Sequence, residues 1–352
     1  MEPASDLLSK LPNHVLSFII SKLPIKEAVR SSILSRRWRY LYNEIPKLTL
    51  SPDLLMGMFM IPNPLAIAQV ENMISNILLL HSSTLERFDL YTRGDWHFTS
   101  ENICRWVHRV ASKNVQDLSL RHLGPLHRRE ILPPSVFLCN RLSSLTLFDY
   151  IITNIPTGFG GFKHLTDCFF RNVKFRDESL ALFLSHCPLL QELRLKSCIV
   201  PKNSTISSPH IEALTLHIPI DLEILSVNCP KLRKFICISN TNDLSLNGLL
   251  FKDVSCDFME LDMDSDGTVI EMSLKPNLHG TNTFSAERCA QITEKFKFLR
   301  SLEIDNLRWE DKMDIPTTKL LQGLPRLERL YISGVIDLVR IFLFCIIFYV
   351  GV

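Results

Sequence analysis

Chemistry on this chain could come from one of three short stretches. Asp262-Met-Asp264-Ser-Asp266-Gly267 places oxygen ligands at positions 1, 3 and 5 and a glycine at 6. That is how a calcium loop begins, because a hard cation needs clustered oxygens and the chain needs a tight turn. Position 12 is Ser273 where a bidentate Glu belongs, and Glu271 comes two residues early. The preceding FMELDM alternates as a strand, so the flanking helix pair is missing. The stretch reads as an acidic turn between strands. Gly158-Phe-Gly160-Gly161 lies in a loop, with no Lys-Ser/Thr after it to make a phosphate cradle. His186-Cys187 is a neighbouring pair in sequence, which by itself builds no nucleophile and base. HExxH, GxSxG, Walker and GxGxxG motifs do not occur. The residues therefore predict no catalytic site, no metal and no cofactor.

Any functional side chain would be positioned by a repeat. The unit L-x-x-L-x-L starts at Leu85, Val115, Leu142, Leu165, Leu190, Ile211, Leu222 and Leu232, and again at Leu299 and Leu327. The first intervals are 30, 27, 23, 25 and 21 residues, close to the roughly 20–29 of a leucine-rich repeat. Each unit predicts a short strand with alternate residues inward, and stacking of neighbours buries them in one continuous core. Helical returns are expected at 100–111, capped by Ser100, and at 177–186. Between 211 and 232 the copies stand only ten or eleven residues apart, too close for a full repeat. Between 232 and 299 only Phe258-Met-Glu-Leu261-Asp-Met263 is a tolerable copy, so irregular or antiparallel pairing is expected there. The positions beside the inward residues form the candidate target face: Arg87, Asp89, Asp117, Ser119, Thr146, Phe169, Glu192, Arg194, Lys234, Glu303, Arg329 and Tyr331. Their charges are mixed and specify no target class.

The stretch from Asp6 to Tyr42 has a different period. Its spacing predicts three helices. Asn13 caps the first, with Val15, Leu16, Ile19, Ile20 and Leu23 on one stripe and Phe18 off it. Pro24 ends it and opens the second, which carries Ile25, Ala28 and Val29. Ser35 caps the third, with Trp38 and Leu41 opposite Arg36, Arg37 and Arg39. A unit of fewer than about 40 residues rarely encloses its own core, and each large apolar side chain left wet forgoes roughly 1.5–3 kcal/mol. Either a protein partner or the chain's own next segment must cover the surplus. The stretch holds seven Lys/Arg against two Asp/Glu.

At Leu11-Pro12, Leu16, Ile19, Leu23-Pro24, Ala28-Val29, Leu34-Ser35, Arg37-Trp38 and Ile45-Pro46 the sequence resembles the F-box, and within it the plant F-box proteins with leucine-rich repeats. His186-Cys187-Pro188-Leu189-Leu190-Gln-Glu-Leu193 and the stretch Trp106–Leu120 resemble the same family. The C-terminal domain that many plant relatives carry is not recognisable. The resemblance implies the substrate-recognition subunit of a Skp-cullin-F-box ubiquitin ligase, a non-catalytic adaptor. Leu11, Pro12, Leu16, Ile19, Leu23, Leu34 and Trp38 would meet a Skp-type adaptor and, through it, cullin. The repeats would present an unknown target protein. Two alternative readings are a repeat scaffold outside any ligase, whose first helices cap the array, and a protein tethered to a membrane by its hydrophobic tail.

The expected fold class is α/β: a short N-terminal three-helix segment at 1–50, a connector and helix at 51–80, a leucine-rich-repeat solenoid at 81–335 with parallel strands and irregular and helical returns, and a hydrophobic tail at 336–352. The helix in the connector region is expected over 67–80. With 39 basic and 37 acidic residues the chain offers no electrostatic case for nucleic acid. The uncharged run 341–352 has twelve residues, where a membrane span needs about 20, so a terminal strand, or a sequence end that replaces the usual repeat continuation, is expected. Ten scattered cysteines without CxxC read as small buried hydrophobes of a reducing compartment. MEPASDLL has neither the basic nor the apolar region of a secretory signal. A cytoplasmic or nuclear location is therefore expected.

Overall fold

The computed structural model describes residues 10–23, 25–38, 41–52, 55, 63–93, 96, 98–123, 129–217, 222–238, 241–246, 249–254, 258–263, 269–275, 282–284, 294, 297–304, 307–309 and 323–332. The chain divides into two compact units, Met1–Leu190 and Gln191–Val352.

In the first unit the expected helices appear with altered ends. Helix α1 (Asn13–Ser21) begins after Pro12 with no side-chain cap. Asn13 instead accepts a hydrogen bond from Arg37 Nε at 2.7 Å, and the same guanidinium reaches the Leu11 carbonyl. The asparagine therefore serves a tertiary tie rather than a cap. Helix α2 (Ile25–Arg30) comes next. The third helix is replaced by 3-10 turns at Ser31–Ile33 and Leu41–Glu44. The connector leads into helix α3 (Pro64–Leu80), three residues longer at its start than expected, because Asn63 accepts from the Ala66 amide and Pro64 suits the first turn.

The main sheet of this unit is β1 (Lys47–Leu50), β2 (Arg87–Arg93), β3 (Asp117–Leu123), β5 (Ser144–Phe148) and β7 (Asp167–Arg171), all parallel and in the order of the sequence. A second parallel sheet holds β4 (Glu130–Ile131), β6 (Tyr150–Ile152) and β8 (Lys174–Phe175). Ile45-Pro-Lys-Leu48-Thr-Leu50 is a further copy of the repeat, outside the expected array, and it supplies the first strand. Two inward rows run across the strands in register: Leu48, Phe88, Leu118, Leu145 and Cys168, then Leu50, Leu90, Leu120, Leu147 and Phe170. All ten are buried. One strand alone would leave them wet, so each repeat is stable only beside its neighbours.

The approach to each strand is stitched by one carbonyl taking two amides. Pro46 O accepts from Glu86 and Arg87, Glu86 O from Gln116 and Asp117, Gln116 O from Ser143 and Ser144, and Ser143 O from Thr166 and Asp167. Just past two of the strands the chain turns with positive φ at Asp149 and Asn172, residue types whose short side chains tolerate that region. The returns are helix α4 (Ser100–Ala111), the 3-10 turn Pro134–Leu138 and helix α5 (Ser179–Ser185). Helix α4 is capped by Thr99, one residue before the expected Ser100. Trp106 of α4 is buried and donates from Nε1 to Ser75 Oγ of α3 at 2.9 Å.

In the second unit β9 (Glu192–Lys196), β11 (Ala213–His217) and β13 (Lys234–Ile238) continue the repeat in parallel. Strand β12 (Leu222–Asn228) does not join them. It lies in a separate sheet between β10 (Asn203–Ser207) and β14 (Thr241–Leu246), which also pairs with β15 (Leu249–Val254). The Leu222 copy is thus a return strand, and the repeat from Ile211 to Leu232 has its full length. The expected change of pairing after β13 is present. Strand β16 (Phe258–Met263) is antiparallel to β13 and to β17 (Val269–Lys275), after which β19 (Ser301–Ile304) and β21 (Arg329–Ile332) run parallel. A short pair, β18 (Asn282–Phe284) with β20 (Leu307–Trp309), completes the strands. The tail 336–352 lies outside the described residues. Among the described residues no helix is long and apolar enough to cross a membrane.

Candidate functional site

The first candidate surface is on the N-terminal helices. Leu16 and Ile20 of α1 turn inward and are fully buried; Ile25 and Ala28 of α2, Trp38 and Leu41 are buried with them. This inner face belongs to the first unit's own core. The segment is anchored to the array by hydrogen bonds to its backbone carbonyls: His81 Nε2 to Ile45 O at 2.8 Å, the Ser82 amide to Asn43 O at 2.9 Å, and the Glu86 amide to Pro46 O at 2.8 Å. Burial holds the His81 imidazole below its usual pKa, so it is the neutral ring that donates here.

The opposite face stays wet. Phe18, Ile33 and Leu34 are 62%, 85% and 64% exposed. Leu23 and Pro12 are also exposed, and Leu11 and Ile19 are half-buried. Of the seven residues expected to meet an adaptor, five therefore lie at or near the surface. Leu16 and Trp38 are buried. Phe18 and Ile33, absent from the expected set, extend that surface. The signal for Phe18 was its place off the buried stripe of α1. Ile33 could not be placed because a third α-helix was expected after it. Lys22 Nζ stands 4.7 Å above the Phe18 ring.

The second candidate surface is the outward face of the repeat strands, where the alternation is as expected. Its side chains are largely engaged with one another. Arg87 and Asp117 form an ion pair at 2.9 Å, Asp89 accepts from Thr49 Oγ1 at 3.2 Å, and Ser119 is covered by Arg121, whose Nε donates to it at 2.8 Å. Thr146 is half-buried between Ser119 and Phe169 in register. In the second unit Glu192 and Arg194 pair at 3.2 Å, and Glu303 accepts from Ser273 Oγ at 2.8 Å. Lys234 and Arg329 are exposed, and Tyr331 lies on β21 with its side chain outside the described residues. A further row on this face, Tyr91, Arg121, Phe148 and Arg171, lies outside the expected set. These residues directly succeed the third apolar position of each unit.

Of the three chemical stretches, two lie among the described residues and take structural roles. Asp262 lies on the backbone of β16, and Asp264, Asp266 and Gly267 lie outside the described residues. Among the described residues no His/Cys/Asp/Glu group could hold a metal. Gly161 has φ +86°, and a Cβ there would stand 2.8 Å from the His186 carbonyl oxygen, so this loop glycine is needed for a close approach. Phe159 between the glycines packs on Phe137, Phe162 and the His186 ring. The Cys187 thiol is buried, directed at Phe183 O, and pushed by burial to about 12, the reverse of an activated nucleophile.

Known proteins resemble the chain in both parts. Residues 8–41 match the family model of the F-box domain, and residues 103–251 match that of the repeats of FBD-associated F-box protein At5g56370. F-box/LRR-repeat protein At4g14103 of Arabidopsis thaliana is 30% identical over 218 residues, 59% of this chain and 55% of its own length. F-box/LRR-repeat protein At3g03360 of the same plant is 26% identical over 320 residues, 88% of this chain and 63% of its own. F-box/FBD/LRR-repeat protein At5g56420, also from Arabidopsis thaliana, is 30% identical over 220 residues, 60% and 49% of the two chains. The chain thus spans about half to two thirds of the length of these relatives. An F-box followed by leucine-rich repeats is the arrangement this chain shares with them.

Proposed function

We propose that this chain, an F-box/leucine-rich-repeat protein of the plant type, is the target-recognition subunit of a Skp-cullin-F-box ubiquitin ligase. The observation that carries the reading is the apolar outer face of Pro12, Phe18, Leu23, Ile33 and Leu34 within the segment that matches the F-box. A Skp-type adaptor would cover that face and link the chain to cullin. The seven Lys/Arg of the segment would speed the approach of an acidic adaptor more than they would deepen its affinity. The repeats would hold the target protein. The chain's contribution is effective concentration: it brings the target near a charged ubiquitin-conjugating enzyme and leaves bond-making to its partners. We place this work in the cytoplasm or nucleus, a reading supported by cysteines that are unpaired and mostly buried among the described residues.

Co-expression of the full chain with a Skp-type adaptor tests the proposal. A stable complex on size exclusion is expected, and its loss in the Leu23→Glu/Leu34→Glu double variant, with thermal stability kept. An adaptor that never co-elutes with the wild-type chain would favour the scaffold reading instead.

A further inference from the structure

The ends of β2, β3, β5 and β7 bring Tyr91, Arg121, Phe148 and Arg171 into one outward row. Arg121 Cζ lies 5.5 Å from the Tyr91 ring centre and 5.2 Å from that of Phe148. Arg171 Cζ lies 5.7 Å from the same Phe148 ring, which Phe169 meets edge-on at 5.2 Å. Two guanidinium groups therefore share one aromatic ring. Stacking strips water from the flat faces of a guanidinium and leaves its edge N–H groups as the donors, in a fork that fits a carboxylate. Arg121 spends Nε on Ser119 Oγ at 2.8 Å, so its terminal nitrogens hold the remaining donors.

Among the described residues no carboxylate forms an ion pair with Arg121 or Arg171. The acids of the same face stand at the other end of the strands or one row in, where Asp117 is held by Arg87, Asp167 accepts from Ser144 Oγ, and Asp89 accepts from Thr49. Asp149, just past the row, is half-buried, takes a bond from Asn172 Nδ2, and is shared at longer range by His122, Arg129 and Arg171.

We propose that the row is a docking strip for an acidic segment of the target protein. Strands β3 and β7 are two inter-strand steps apart, about 10 Å. Residues three apart in an extended, polyproline-like chain stand on one side about 9 Å apart. The strip thus fits a segment with carboxylates at positions i and i+3 lying across the strands, one taken edge-on by each arginine; Phe148, itself buried, is the support on which the two guanidinium groups rest, and half-buried Tyr91 flanks them. This deepens the proposed function by naming the chemistry of the target, and it rests on that reading only for the fate of the target once captured.

The test is fluorescence anisotropy on the full chain bound to its adaptor, or alone if no complex forms. The probes are short fluorescein-labelled peptides with Glu at every third position, their Gln counterpart and their phosphoserine counterpart. The Glu peptide should bind, weaken as salt rises, and lose at least tenfold in affinity in the Arg121→Gln/Arg171→Gln variant. Lys174→Gln, which removes one charge from the second sheet, should leave binding unchanged. The inference is overturned if the Gln peptide binds equally well, if the double variant binds like wild type at unchanged melting temperature, or if only the phosphoserine peptide binds. Adaptor capture measured on the same preparations keeps the two proposals apart: its loss strikes the ligase reading and leaves the strip standing, and the converse holds as well.

Discussion

Ile33→Asp separates the proposed docking face from the fold. The side chain is 85% exposed, whereas Leu16, Ile20, Ala28 and Trp38 of the same segment are buried. A substitution at so exposed a site should change stability by no more than about 0.5 kcal/mol. If an adaptor covers Ile33, most of its transfer free energy, roughly 1.5–3 kcal/mol for full burial, becomes binding energy. Scaled by its exposure, that is about 1.3–2.5 kcal/mol, or about 10- to 60-fold in Kd at ~1.4 kcal/mol per decade. A buried carboxylate without a partner would add to the loss. The control is Ile131→Asp, equally drastic at a site 60% exposed on β4, away from the N-terminal helices. Calorimetric titration of the adaptor into each purified chain reads the effect, with melting temperatures in parallel. The reasoning fails if Ile33→Asp leaves Kd within twofold of wild type, or if Ile131→Asp weakens it as much.

Two further expectations concern the fold. Gly161→Ala would force a non-glycine residue to φ +86° and place its Cβ 2.8 Å from the His186 carbonyl oxygen, so urea unfolding should report a loss of about 2 kcal/mol or more. Gly160→Ala, with open space around it, should be neutral or slightly stabilising. The Cys139 and Cys187 thiols are pushed by burial to about 12, so at pH 8 their thiolate fraction is about a thousandfold below that of an ordinary cysteine of pKa ~8.5. Iodoacetamide with mass-spectrometric readout should modify half-buried Cys104 first and these two only in urea. Because folding raises their pKa, their contribution to stability is complete below about 8.5 and is lost as pH climbs toward 12. Unfolding midpoints should fall over that range, and a midpoint flat from pH 8 to 11 would count against buried thiols.

The repeat was legible because its physics is local. A strand needs inward residues at every second position, and stacking requires the same pattern in each neighbour. Leu85, Val115, Leu142, Leu165, Leu190, Ile211 and Leu232 therefore announced the buried rows, and the switch to antiparallel pairing was signalled by the missing copies after 232. The amphipathic period of α1, α2, α3 and α4 was equally readable, with ends displaced by one to three residues where Asn63 or Thr99 rather than the expected residue met the free amides. That an apolar run such as Leu222-Glu-Ile-Leu225-Ser-Val227 joins the second sheet is a matter of pairing partners, which one strand's pattern does not contain. For the same reason Ile45–Leu50 passed unrecognised as the first repeat.

What the sequence by itself determined is which residues must be hidden: the repeat leucines, Leu16 and Ile20 of the first helix and, among the described residues, all the cysteines but Cys104, since burial preference belongs to the side chain. What only the tertiary structure decided is which apolar and charged groups are left over. Leu16 and Trp38 went inside while Phe18, Ile33 and Leu34 stayed wet, and Arg121 and Arg171 came to share the Phe148 ring, because exposure and charge balance depend on neighbours distant in the chain.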